Sequence, residues 1–202
     1  MTPLLSSTYF GPVQWYQKLN RYPTVYIEQH DSYRKQTYRN RCVIATTNGP
    51  QALTVPVERD EHIRISDHGN WRHLHWHALM SAYNESPFFE YYADDLFPFF
   101  DRRWEHLYDF NLAICRKICE LIDIHPDIRL TTDFVHPDNV SGEYGNDFLD
   151  LRDAINPKHP QPDADFTPRR YYQVYGRKHG FQPNLSILDL LFNMGPESIF
   201  YL

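Results

Sequence analysis

The sequence predicts an α/β fold: a mixed sheet opened by a βαβ-like unit, with helices packed against it. Three observations carry this expectation. A short apolar run, a proline-started helix and the β-branched run Thr24–Glu28 follow one another at the start of the chain, which is the order of a βαβ crossover. Two apolar runs flank Asn48-Gly49, a hairpin signal. Residues 103–124 repeat apolar side chains every three or four positions, as a core-covering helix does. At 202 residues the chain is expected to form a single domain over 1–202, with an irregular segment at about 136–170.

Taken in order, residues 3–9 read as a first strand, broken by Phe10-Gly11-Pro12. Pro12 suits the first turn of a helix running to about Asn20. Tyr22-Pro23 stops it, and Thr24–Glu28 follows as a strand expected to lie parallel to the first. The turn Ser7–Pro12 then falls at a strand's carboxyl end and a helix's start, where open α/β sheets bind ligands. A plain connection would look the same. Arg41–Thr46 and Ala52–Val57 form the expected hairpin, with Pro56 placing its second arm at an edge or at a bulge. A short strand is expected over His62–Ser66, then helices over Trp71–Asn84 with Asn70 as N-cap, Phe88–Phe97 after Ser86-Pro87, and Arg103–Ile124. Ile128–Phe134 and Arg169–Tyr175 read as strands. Leu185–Asn193 reads as a helix, with Ser186 and Asp189 in a capping-box spacing and Gly195 past its end.

Composition narrows the function. The net charge is −6 and the pI about 6.0, which argues against a general nucleic-acid binder. Cys42, Cys115 and Cys119 are an odd set in a chain whose start carries no basic, apolar leader; reduced thiols and a cytoplasmic setting are expected. No run approaches the ~18 apolar residues of a membrane span. No phosphate-loop, GxSxG, EF-hand or zinc-ribbon spacing occurs, so no cofactor is expected. The oligomeric state stays open.

The chemistry concentrates in residues 33–42. Arg34, Lys35, Arg39 and Arg41 fall within eight positions of an acidic chain, interleaved with Tyr33, Gln36, Tyr38, Asn40 and Cys42. Guanidinium forks bind phosphate or carboxylate at two points, and lysine adds a point charge. The stretch reads as a pocket wall for a small anionic or sugar-linked substrate; a solvated edge strand is the other reading. His75 interrupts an apolar helix face, as a hydrogen-bonded core residue or as a general base at a pocket rim. Cys42 beside Arg41 is a candidate nucleophile or a small buried apolar residue. His73 and His77 share a helix face but make half a metal site, so no metal is expected. Glu28, followed by Gln29, His30 and Asp31, ends a strand and is either a site carboxylate or part of a solvated loop.

Several blocks occur together in register: Tyr9-Phe10-x-Pro12, Tyr33-x-Lys35-Gln36-x-Tyr38-Arg39-Asn40-Arg41, Leu53 to Val57, His75-Trp76, Ser86-Pro87-Phe88-Phe89, Tyr172-Gln173, and Leu185 to Gly195. This set resembles the WbqC-like family over roughly residues 3–125 and 171–196. Many members carry His-Gln-Pro where this chain has Ser6-Ser7-Thr8. The resemblance implies a transferase of O-antigen or other surface-polysaccharide synthesis, passing an aminoacyl or acyl group to an amino sugar. On that reading Lys35, Arg39 and Arg41 hold an anionic group, Gln36 and Asn40 orient it, Tyr9 closes the pocket, and His75, with Cys42 as candidate nucleophile, does the chemistry. Two alternatives are a non-catalytic binding protein for an anionic metabolite and a nucleotidyltransferase-like enzyme.

Overall fold

The computed structural model describes residues 1–59, 63–136 and 148–202. Residue 62 of the expected fifth strand and residues 137–147 of the expected irregular segment lie outside these. The fold is α/β. Strands β1 (Thr2–Ser6) and β2 (Thr24–Glu28) are joined by helix α1 (Val13–Arg21) and pair in parallel, with Leu5 opposite Ile27 and Ser6 opposite Glu28. Two further strands, β7 (Asp127–Leu130) and β8 (Phe148–Asp150), extend this sheet in the order β7-β2-β1-β8, all parallel. The antiparallel strands stand apart as two pairs: β3 (Arg41–Thr46) with β4 (Gly49–Thr54), and β5 (Val57–Arg59) with β6 (Ile63–Ile65). The parallel and antiparallel pairings expected of one mixed sheet therefore lie in separate sheets.

Side-chain alternation places the sheet in the molecule. Leu5, Val25 and Ile27 face a large core shared with the helices, whereas Leu4 meets Val135 and Phe148 on the other face. The core is covered by α2 (Trp71–Tyr83), α3 (Phe89–Leu96), α4 (Pro98–Asp101), α5 (Leu107–Leu121) and α7 (Ile187–Met194), the short α6 (Gly176–His179) preceding the last. Helix α1 is buried over almost its whole circumference. Its Lys18 is 0% exposed and pairs with Asp163 at 2.7 Å, while Gln14 donates to Asp163 and Gln17 to the Asp165 carbonyl. Residues 163–165 thus form a polar strap over α1. A lysine this deep persists only because it is paired.

Several boundaries moved for identifiable reasons. The hairpin's second arm begins at Gly49 rather than Ala52, because pairing continues through Pro50 opposite Ala45; in a two-stranded ribbon that proline faces no missing partner. Helix α5 begins at Leu107 rather than Arg103. The chain before it is held extended, with Ile65 N–H donating to the Glu105 carbonyl and Arg64 bridging to His106. Strand β7 stops at Leu130, since Thr131 turns its hydroxyl onto Glu28. Ser86 caps nothing at α3; its hydroxyl donates back to the Tyr83 carbonyl. Residues 169–175 form no strand.

The last difference has a clear cause. Tyr171 and Gln173 turn inward and donate to Asp189 on α7, at 2.7 and 2.8 Å. Tyr83 on α2 donates a third bond at 2.9 Å and accepts the Ala45 N–H of β3. Asp189 is fully buried with no ion-pair partner among the described residues, and burial pushes its carboxyl up while the three donors act against that shift. Ser186 caps α7 through the Leu188 N–H, as its sequence position suggests. Asp189 ties four segments together instead of completing a capping box. Replacing Tyr83 by Phe strips both bonds and should lower stability by about 1–3 kcal/mol, read as a fall in denaturant midpoint with an unchanged slope.

Candidate functional site

The carboxyl edge of the parallel sheet carries the densest polar chemistry among the described residues. Strand β2 ends in Glu28, which is 0% exposed. It accepts from Thr131 Oγ1 at 2.7 Å, from the His30 and Val135 N–H groups at 2.9 Å each, and from Arg152 at 3.1 Å. Arg152 follows β8 and also grips Asp150. Three residues beyond Glu28, Asp31 accepts from Ser6 Oγ at the end of β1 and forms a short ion pair with Arg39. Both members of that pair are almost wholly buried. The neighbouring helix α5 contributes Tyr108, whose hydroxyl donates to the Asp31 carbonyl, and Asn111, whose amide donates to the Arg39 carbonyl at 2.7 Å and to Ser7 Oγ.

Three spaces adjoin this network. A cleft of about 450 Å³ is lined by Gln29, His30, Asp31, Ile63, His106, Tyr108 and Asp109. Behind it, sharing Gln29, Tyr108 and Asp109, an inner cavity of about 50 Å³ reaches Ser7, Thr8, Trp15, Ile27 and Asn111. An open hollow of about 600 Å³ lies against Tyr33, Lys35, Gln36, Arg41, Thr54 and Val57. Asp31 of the cleft and Tyr33 of the hollow are two residues apart, so their Cα atoms are no more than about 7 Å apart. Cleft and hollow are therefore adjacent. The turn after β1 supplies the inner cavity's floor: Phe10 takes a left-handed φ of 42°, and a Cβ at Gly11 would stand 2.4 Å from Thr8 Oγ1. Glycine is the residue that fits there.

The structure divides the stretch 33–42. Lys35, Gln36 and Arg41 line the open hollow, Arg41 also bonding Thr54 Oγ1. Arg39 is turned inward to Asp31, and Asn40 donates to the Val55 carbonyl at 2.8 Å. Both are buried, so they do not share the hollow with Lys35 and Arg41. Tyr9 and His75 do come together, 2.9 Å apart, but inside the core among Trp71 and Phe110 and not at a pocket rim. Burial lowers the His75 pKa to about 4, with the Thr54 backbone acting in the opposite direction. Cys42 is 1% exposed, and burial drives its thiol well up, away from the reactive thiolate. The His73 and His77 rings lie 4.0 Å apart, and no metal-binding group of three or more forms among the described residues.

The residues that line the cleft and the inner cavity carry little local signal. His30 and Asp31 follow Glu28, a site carboxylate or part of a solvated loop by sequence, and Tyr108, Asp109 and Asn111 fall in a helix whose apolar stripe dominates. Asn111 does interrupt that stripe between Phe110 and Ile114, and it is 1% exposed. A polar residue on a core face was the available signal.

The family model described as the WbqC-like protein family matches residues 7–159. This chain belongs to that family. The match contains the Arg39–Asp31 and Arg152–Glu28 pairs and ends before Asp163 and the Tyr171–Asp189 cluster. The protein named Uncharacterized protein Rv1507c, from Mycobacterium tuberculosis (strain ATCC 25618 / H37Rv), is 31% identical over 196 residues, covering 84% of this chain and 83% of its own. No solved structure matches the chain. No helix among the described residues is long and apolar enough to cross a membrane.

Two outcomes are expected from this geometry. Asp31→Ala strands a buried guanidinium and should destabilise the protein by about 3–5 kcal/mol, whereas Asp31→Ala combined with Arg39→Met should recover most of the loss; denaturant melts of the single and double variants check it. For His75, the native pKa lies below the unfolded value of 6.5, so the unfolded chain binds the proton first. Its contribution is complete above pH ~6.5 and is lost as the pH falls through about 4, by at most about 3 kcal/mol. The stability profile of His75→Gln should be flatter than that of the parent across this window.

Proposed function

We propose that the chain is a small-molecule transferase that moves an acyl or aminoacyl group onto the amine of an amino sugar, in O-antigen or related surface-polysaccharide synthesis. The observation that carries this reading is the adjacency of the cationic hollow and the imidazole-lined cleft at the carboxyl edge of a parallel sheet, where α/β folds place ligands. Lys35 and Arg41 would hold the anionic part of the donor. The acceptor would lie in the cleft between His30 and Asp109. Its amine nitrogen forms the new bond to the acyl carbon, the donor's bond to that carbon breaks with the electron pair going to the leaving group, and His30 takes the amine proton. A positioned base of this kind is worth ~10²–10⁴ in rate. Asp31, Arg39, Glu28 and Arg152 act as the frame. The expected roles of His75 as base and Cys42 as nucleophile give way to His30, because His30 is exposed at the cleft while the other two are buried.

A non-catalytic binding protein is the second reading, favoured by the fact that Arg39 and Arg152 are both committed to internal partners. One series separates the two. A thermal-shift panel of acyl phosphates, acyl thioesters and sugar nucleotides should find a ligand that stabilises by about 2.7 kcal/mol at ~100 times its Kd. That gain should disappear in Lys35→Ala/Arg41→Ala. With glucosamine as acceptor, mass spectrometry should detect the N-acylated product, and His30→Ala should lower turnover at least 100-fold with donor affinity within a few-fold. Donor binding without product, in the parent protein, would leave the binding-protein reading standing.

A further inference from the structure

Residues 166–188 contain Arg169, Arg170, Arg177 and Lys178 and no acidic residue, in a chain whose net charge is −6. The carboxylates at the two ends of this stretch are committed elsewhere. Asp165 accepts from Tyr22, and Asp189 from its three buried donors. Arg169 donates to the Phe200 carbonyl and Lys178 to the Thr47 carbonyl. Arg170 and Arg177 are exposed and have no carboxylate partner among the described residues. Both line a hollow of about 500 Å³, together with Tyr172, which is 57% exposed, and the half-buried Phe181.

The core holds this hollow in shape. Tyr171 and Gln173, on its lining, are anchored to Asp189. Gln173 also exchanges two hydrogen bonds with Gln182, at 2.9 and 2.8 Å, which closes the chain into a loop around α6. A four-residue helix has no stability of its own. Tyr175 fixes it by donating to the Ala82 carbonyl at 3.0 Å, and Lys178 by its bond to Thr47. Phe181 packs edge-on against Tyr171, with ring centroids 5.3 Å apart.

We infer that this hollow is a nucleotide site: Arg170 and Arg177 take the phosphates, and Tyr172 and Phe181 take the base. Guanidinium forks without internal partners grip phosphate oxygens at two points, and aromatic rings stack on any flat base. The volume falls within the ~300–1,000 Å³ of small-ligand sites, and a concave wall suits a small molecule better than a bilayer. The side-chain groups of Tyr171 and Gln173 are spent inside, so base identity goes unread. The site selects for charge and flatness. It is separate from the transfer proposed above and does not rest on it. α6 is tied to the hairpin at Thr47, whereas Arg41 of the cationic hollow lies at the other end of β3, roughly 17 Å away.

The test uses the full chain carrying Lys35→Ala/Arg41→Ala, so that the other hollow cannot supply the phosphate contacts. Calorimetric titrations at low salt compare ADP, UDP, adenosine and pyrophosphate. ADP and UDP should bind one molecule per chain, with affinities within about three-fold of each other. Adenosine and pyrophosphate should each bind at least ten-fold more weakly. Adding Arg170→Ala/Arg177→Ala should weaken ADP at least ten-fold. Tyr172→Ala should weaken it about ten-fold, while Tyr172→Phe should bind as the parent does. These side chains are exposed, so the variants should melt with the parent. Failure of both nucleotides to bind, equal binding of adenosine, or ADP binding that survives the loss of both arginines overturns the inference. So does binding to phosphatidylglycerol vesicles through these arginines that ADP does not compete away, which would make the surface a bilayer contact.

Discussion

Two carboxylates leave water at the ends of the sheet, and the rest of the functional edge is arranged to make that possible. Glu28 and Asp31 are separated by a turn at the carboxyl end of β2, both buried. Each needs a cation and further donors, because an isolated charge in an apolar interior is far more costly than any single contact can offset. Glu28 draws Arg152 from beyond β8, a strand late in the chain; Asp31 draws Arg39 from the start of the hairpin. Ser6, Thr131 and two backbone N–H groups complete the shells. The charges therefore dictate which distant segments meet, and the cleft is the space left beside them.

This explains why a stretch dense in cations does not behave as one surface. Of its members, Arg39 answers an internal charge, Arg34 pairs with the exposed Asp153, and Lys35 and Arg41 face an open hollow. The local sequence holds no statement of which carboxylate a guanidinium will find. Asp31 lies only eight residues before Arg39, but Glu28 and Arg152 are 124 residues apart, beyond the reach of any local pattern.

Local pattern was a good guide wherever local physics decides. Thr24–Glu28 is a strand with the bounds its β-branched run suggests, the βαβ opening is parallel, and the Ser186 cap starts α7 where expected. Elements whose limits are set by remote partners leave little trace in local pattern. Strand β8 is three residues long and finds its place only by pairing with β1. The apparent strand at 169–175 is irregular because Asp189 claims two of its side chains. His75 was open between core and site from sequence alone, since only the fold shows that Tyr9 fills the space beside it.

The strap over α1 bears on how such a chain can vary. Arg152 is fastened to Glu28 at one end and Asp163 to Lys18 at the other, so the residues between them are a bridge with fixed abutments. Lengthening a tethered loop is thermodynamically mild, about 0.6 kcal/mol for each doubling. A change of length in the exposed residues 158–162 of this bridge would therefore leave the sheet edge its shape, whereas Ala154 and Ile155 are fixed in the core.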